Sequence, residues 1–109
     1  MEKSDLKLLY LVMVETDPDH IPFLSISRRT RPVVERKQML AAVARHYGTP
    51  VGRIAAFVGW INHTTALFAI KQVKGYMEVY PETRRRFETI CEEYEFRKTM
   101  GLLAGNSIH

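Results

Sequence analysis

Four consecutive polar residues, Asn62 to Thr65, carry the side chains of this sequence best suited to recognising a binding partner by hydrogen bonds. The amide, the imidazole and the two hydroxyl groups donate and accept hydrogen bonds and are long enough to reach the edges of bases. Gly59, just before them, can supply the positive φ of a tight turn, and Asn62 is a favoured helix N-cap. A helix, a short glycine turn and a second helix with a polar first turn are typical of a helix-turn-helix DNA reader.

Two helices must position this turn, and apolar spacing predicts both. The first covers 51–58 and has three inward residues: Ile54, Ala55 and Val58. The second runs from Asn62 or His63 to about Tyr76, and it has a buried stripe of four residues: Ala66, Ala69, Ile70 and Val73. Its opposite face is predicted to present Thr64, Thr65, Phe68, Lys71 and Gln72 to the outside.

The remaining elements are also predicted to be helical. Residues 8–14 are continuously apolar, so periodicity alone does not separate helix from strand there, although the Leu and Met content favours a helix. Pro32 fits the first turn of a helix that ends at Gly48, and Pro81 fits the start of a last helix whose apolar side comprises Phe87, Ile90, Cys91, Tyr94 and Phe96. The sequence therefore predicts an all-α fold of four to five helices.

One compact domain fits the length of 109 residues. We expect an N-terminal helix and connector over 1–20, the helix-turn-helix domain over 21–99, and a flexible tail over 100–109. No apolar run reaches the roughly 18 residues of a membrane span. The single Cys91 and the absence of a Cys or His cluster predict no disulfide, no metal and no cofactor, and a cytoplasmic location.

Positive charge is concentrated in the centre of the chain. Residues 21–76 hold nine bases and one acid, a net charge of +8, whereas the whole chain has +4. Basic charge beside a candidate reading helix is the electrostatic pattern expected for a polyanion partner. The alternative is that these charges form an ordinary solvated face.

Two blocks of this sequence together resemble the C-terminal DNA-binding domain of the bacterial replication initiator DnaA. That family has the signature Gly-X-Arg-Asp-His-Ser/Thr-Thr-Val in its turn and recognition helix, and residues 59–66 here read Gly-Trp-Ile-Asn-His-Thr-Thr-Ala. Upstream the family has an arginine-rich loop and a helix opening on Arg-Gln. Residues 28–34 and Lys37-Gln38 stand in those places, and the resemblance covers roughly residues 24–94.

The resemblance implies a helix-turn-helix like those of the Trp repressor and the DnaA C-terminal domain, and it assigns roles to individual residues. The first turn of the recognition helix would read base edges in the major groove through Asn62, His63, Thr64 and Thr65. Arg29, with Arg28 and Arg31 beside it, would enter the adjacent minor groove. Three further bases would contact phosphates: Lys37, Arg45 and Lys71, with Lys74 as a weaker candidate.

This chain departs from the family pattern at three positions: Ile61 replaces Arg, Asn62 replaces Asp and Ala66 replaces Val. An Asp can accept from cytosine N4 whereas an Asn suits adenine, so we expect a target different from the ordinary initiator box. The sequence also contains no Gly-X-X-X-X-Gly-Lys-Ser/Thr loop. It is therefore similar to a stand-alone DNA-binding domain without the initiator's ATPase module.

The expected function is that of a non-enzymatic, sequence-specific double-stranded DNA-binding protein in replication initiation or its regulation. Double-stranded DNA is the expected partner, with a second copy or a replication protein adding affinity, and neither a nucleotide nor a membrane is expected. The alternative is a protein–protein adaptor that kept the fold and lost DNA binding, which the residues Ile61 and Ala66 and exposed Trp60 and Phe68 favour. No nucleophile–base pair or paired carboxylates indicate an enzyme.

Overall fold

Five α-helices form the part of the chain that the structure describes, which is the backbone of residues 5–108 and the side chains of residues 5–101. The structure is a computed structural model. The helices are α1 (Leu6–Thr16), α2 (Arg31–His46), α3 (Val51–Val58), α4 (His63–Val79) and α5 (Pro81–Ile108). No strand occurs over residues 5–108. The predicted all-α fold is confirmed, and the apolar run 8–14 is a helix.

Local chemistry explains where these helices begin and end. Asp5 caps α1, since its carboxylate accepts a hydrogen bond from the backbone N–H of Leu8 at 3.1 Å. Gly59 ends α3 with a φ of 94°, in the left-handed region that favours glycine. The N–H groups of Gly59 and Trp60 both donate to the carbonyl of Ala55, at 2.9 and 2.8 Å. The chain then turns within four residues into α4.

The core lies around α2, which packs on all four other helices and most extensively on α4. The predicted inward residues of α3 and the predicted stripe of α4 are all buried. The largest fully buried side chains come from α1, the following connector, α2, α3 and α5: Leu9, Met13, Phe23, Leu40, Ile54, Ile90 and Tyr94. Burying apolar surface from all five helices fixes the α3–α4 pair against α2.

The C-terminal part of the chain differs from the prediction. Helix α4 continues to Val79 rather than ending near Tyr76, and α5 runs to Ile108. The flexibility expected of residues 100–109 stays a prediction, and the side chains of 102–109 lie outside the described residues. Apart from Gly101, residues 97–104 are largely good helix formers, and no proline interrupts them. Phe96 is exposed and does not belong to the apolar side of α5. None of the helices over residues 5–108 is both long and apolar enough to cross a bilayer.

Candidate nucleic-acid interface

A groove of about 340 Å³ lies where the start of α2 meets the connection between α3 and α4. It is lined by Arg28, Arg29, Lys37, Asn62 and Thr65, which are five of the residues singled out from the sequence. The basic segment and the polar turn lie more than twenty positions apart in the chain. Packing of α2 against α3 and α4 brings them to one surface.

The groove carries positive charge that no neighbouring group of the described chain neutralises. Its three ionised lining residues are Arg28, Arg29 and Lys37, and no carboxylate from residues 5–101 lines it. Over the described side chains, none of these three forms an ion pair or a side-chain hydrogen bond. Their charged ends are therefore available to an anionic ligand.

Asn62 caps α4, as its position predicted. Its side-chain Oδ1 accepts a hydrogen bond from the backbone N–H of Thr64 at 2.8 Å. Bidentate recognition of adenine needs both the oxygen and the nitrogen of the amide. Because the oxygen serves the helix terminus, the Nδ2 donor is the main group that Asn62 can offer to a ligand in the groove.

His63 lies against α3 and does not line the groove. A Cβ atom built on Gly52 would stand 3.1 Å from His63 Cε1 and 3.2 Å from Nε2, so the imidazole packs on the bare backbone of that glycine. The ring is otherwise exposed. Gly52 thus makes room for His63 beside the first turn of α4, a role that the sequence did not indicate.

The other predicted contact residues are exposed but lie outside this groove. Thr64 and Lys71 are exposed on α4, and Arg31 is exposed at the start of α2. Arg45 lies at the far end of α2, where it donates from Nη1 to the carbonyl of Thr49 at 3.2 Å.

Arg45 lines a second cavity of about 240 Å³, together with His46 and Lys74. The structure therefore separates Arg45 and Lys74 from the arginines of the groove. These two cations and those of the groove occupy different parts of the α2–α4 surface.

Arg36 belongs to the basic segment by sequence, but its charge is used inside the fold. Its Nε and Nη2 donate to the Asp17 carboxylate at 2.6 and 2.8 Å, and Asp17 is only 2% exposed. The hydrogen bonds from Arg36 hold the pKa of Asp17 well below its usual range. The same contact raises the pKa of Arg36. Arg36 is a structural cation, so the net charge of the central segment overstates what a ligand meets.

The same carboxylate holds the connector that leads to the basic segment. Asp17 also accepts hydrogen bonds from the backbone N–H groups of Asp19 at 3.1 Å and Ile21 at 3.2 Å. Phe23, buried two residues later, makes an edge-to-face contact with Tyr10 of α1, with ring centroids 5.0 Å apart. Residues 1–20 had no predicted role beyond packing, and the structure shows α1 anchoring the chain just before Arg28.

The groove also contains apolar side chains. Ile61 is fully exposed at 103% and Phe68 is 62% exposed, and both line it. Trp60 lines it as well but is half-buried and packs against the core. Exposure of Phe68 agrees with its place on the outer face of α4. In the sequence, Ile61 stood out because it replaces the Arg of the DnaA family signature.

Comparisons of the chain with protein-family models, with curated proteins and with solved structures find no match. The resemblance to the DnaA domain stays a prediction from two blocks of the sequence, 28–38 and 59–66. Within the described residues, no group of three or more Asp, Glu, His or Cys side chains is placed to hold a metal ion.

Proposed function

We propose that this protein is a non-enzymatic double-stranded DNA-binding module that uses the groove between α2 and the α3–α4 turn. The observation that carries the proposal is the composition of that groove. Three unpaired cations, Arg28, Arg29 and Lys37, share it with the polar residues Asn62 and Thr65, and no carboxylate of the described side chains lines it. Cations supply affinity for the phosphate backbone, and polar side chains at a helix N-terminus supply contacts to bases.

In this proposal the N-terminal turn of α4 enters the major groove. Thr65 faces the bases from the protein groove, and the exposed Thr64 extends this surface. Arg28 and Arg29, on the segment beside it, follow the backbone into the neighbouring minor groove, where arginine is favoured by a narrow, negative channel. Lys37 contacts a phosphate. The resemblance to the initiator domain supports the same arrangement and suggests a role in replication initiation or its control.

Three cations near the phosphate backbone, of which one contacts a phosphate directly, give a single module modest affinity. We therefore propose that a second copy, a replication protein or tandem sites raise the affinity by multivalency.

The test is fluorescence anisotropy of the purified chain with labelled random duplexes over a range of salt concentrations. If all three cations neutralise phosphate charge, Arg28 and Arg29 from the minor groove and Lys37 by direct contact, log K should fall against log salt with a slope of about −2.7. Arg29→Ala should reduce the slope by about one and weaken duplex binding. Arg85→Ala is the matched control, since Arg85 is exposed on α5 and outside the groove, and it should change neither quantity.

The second candidate function is a protein–protein adaptor, and the exposure of Ile61 and Phe68 favours it. Apolar side chains in a cationic groove would suit an acidic, partly apolar segment of another protein. Absence of duplex binding at low salt would refute the first proposal and favour this one. Duplex binding that Arg29→Ala leaves unchanged would refute the use of this groove.

A further inference from the structure

Ile61 has no role in the fold that would explain an isoleucine at its position. It is the most exposed large apolar residue of the described chain and stands next to Asn62, the cap of α4. Its exposed fraction of 103% means that it packs on no other described residue. An isoleucine held in water at the tip of a turn gains free energy only when a ligand covers it.

The surroundings of Ile61 indicate what covers it. It lines the same groove as Arg28, Arg29 and Thr65, and the other strongly exposed apolar residue there is Phe68. Unpaired cations suit an anionic ligand, and the exposed apolar side chains beside them suit a ligand that also presents an apolar group. In the major groove of DNA, the C5-methyl of thymine is the apolar group that lies beside the hydrogen-bonding edges of the bases.

We propose that Ile61 reads a thymine methyl group, with Phe68 covering the adjoining part of the same major-groove surface. This inference rests on the proposed DNA-binding function and adds its sequence preference. Asn62 offers mainly a donor, because its oxygen caps α4. Much of the discrimination between bases therefore comes from apolar contact, and the preferred site contains a thymine at the base pair facing the turn.

An acidic protein segment is the competing occupant, and the charge pattern favours DNA. The cations come from two separate elements, the segment before α2 and α2 itself, and line the same groove as the apolar residues, which no carboxylate of the described side chains lines. Several cations beside polar and apolar side chains suit phosphates passing beside base edges. A groove built for a protein segment instead of DNA would show no duplex binding at all.

The experiment begins by recovering the tightest-binding duplex from a random pool with the wild-type chain. Each thymine of that duplex is then replaced in turn by deoxyuridine, which removes only the methyl group. At one or two positions the wild-type affinity should fall about fourfold, the loss expected when one buried methyl group is removed. Ile61→Ala should bind the thymine duplex more weakly and show no further loss with deoxyuridine at one of those positions.

Two controls separate direct contact from indirect effects. Val79→Ala removes methyl groups from a residue that is 68% exposed at the other end of α4, and it should keep the full deoxyuridine penalty. Any effect of deoxyuridine on duplex shape would persist in Ile61→Ala, so only a contact with Ile61 makes the penalty disappear in that variant. Because Ile61 is fully exposed, its replacement by Ala should leave the thermal unfolding midpoint unchanged.

The outcomes distinguish this inference from the function on which it rests. Salt-dependent duplex binding with no thymine-specific penalty, or with one that Ile61→Ala retains, would overturn the role of Ile61 and leave the DNA-binding function standing. A preferred duplex without thymine would likewise overturn the role of Ile61 and leave the DNA-binding function standing. Failure to bind any duplex would overturn the DNA-binding function, and with it the reading of thymine.

Discussion

Replacing Asp17 by Asn should destabilise the fold, because it removes the charge that Arg36 requires as its partner. Asp17 is buried and receives four hydrogen bonds, two from Arg36 and two from the backbone N–H groups of Asp19 and Ile21. Asn has nearly the same shape but no charge. Its amide nitrogen, itself a donor, would face N–H donors that the Asp17 carboxylate now accepts from. The change leaves the Arg36 guanidinium facing a side chain that cannot neutralise it.

The size of the effect follows from the burial of the two partners. Removing one member of a buried ion pair costs about 3–5 kcal/mol. Arg36 is 21% exposed, so its unpaired guanidinium recovers some hydration, and we expect a smaller loss, about 2–3 kcal/mol. Asp19→Asn is the matched control. Its carboxylate is 73% exposed and 3.6 Å from Arg36 Nη2, so it should cost less than about 0.5 kcal/mol.

The effect should depend on pH with a definite sign. The pKa of Asp17 is lower in the folded state than in the unfolded chain, so the unfolded chain binds more protons on acidification. The stabilisation is therefore complete above an unfolded-state pKa of about 3.9 and is lost as the pH falls below it. The difference between wild type and Asp17→Asn should be constant from neutral pH to about pH 5 and should shrink below about pH 4.

Urea unfolding at several pH values measures this directly. Equal m-values would show that the same surface is exposed on unfolding, so that midpoints report stability. A loss below about 1 kcal/mol at neutral pH would contradict the reasoning from burial. A difference that does not narrow on acidification would contradict the assignment of the stabilisation to a charged Asp17.

Three further substitutions test local features of the helices. Gly75→Ala, within α4 and with open space at its Cβ, should raise the free energy of unfolding by about 0.5–1 kcal/mol. Asn62→Ala removes the cap of α4 and should lower it by about 1 kcal/mol in thermal unfolding. Gly52→Ala should leave stability unchanged or higher but displace the His63 ring, which would be seen as shifted imidazole NMR signals. Unmoved signals would contradict the packing of His63 on that glycine.

The helices could be predicted from the sequence because their limits are set by local chemistry. Pro32 at the start of α2, Gly59 at the end of α3 and Asn62 at the start of α4 each act within one turn. The apolar stripe of α4 has helical spacing, and it is buried in the structure. The end of α4 was harder to place, since it was predicted near Tyr76 and lies at Val79.

The contacts that organise the candidate site could not be read in the same way. Asp17 and Arg36 are 19 positions apart and lie on either side of an irregular connector, so no periodicity relates them. The packing of His63 on Gly52 joins two helices across a turn, and a glycine inside a short helix gives no sign of its neighbour. Such pairings depend on how the helices pack, which composition and spacing do not specify.

Counting charges in the sequence therefore overestimates the surface available to DNA. If all nine bases of residues 21–76 contacted phosphates, log K would fall against log salt with a slope of about −8. Arg36 is engaged by Asp17, and only three of the nine bases line the groove: Arg28, Arg29 and Lys37. The other five lie outside it: Arg31, Arg45, Arg53, Lys71 and Lys74. A slope of about −3 would thus support a single groove as the binding surface. A slope much steeper than that would mean that cations outside the groove, such as Lys71 or the Arg45 and Lys74 pair, also meet the phosphate backbone.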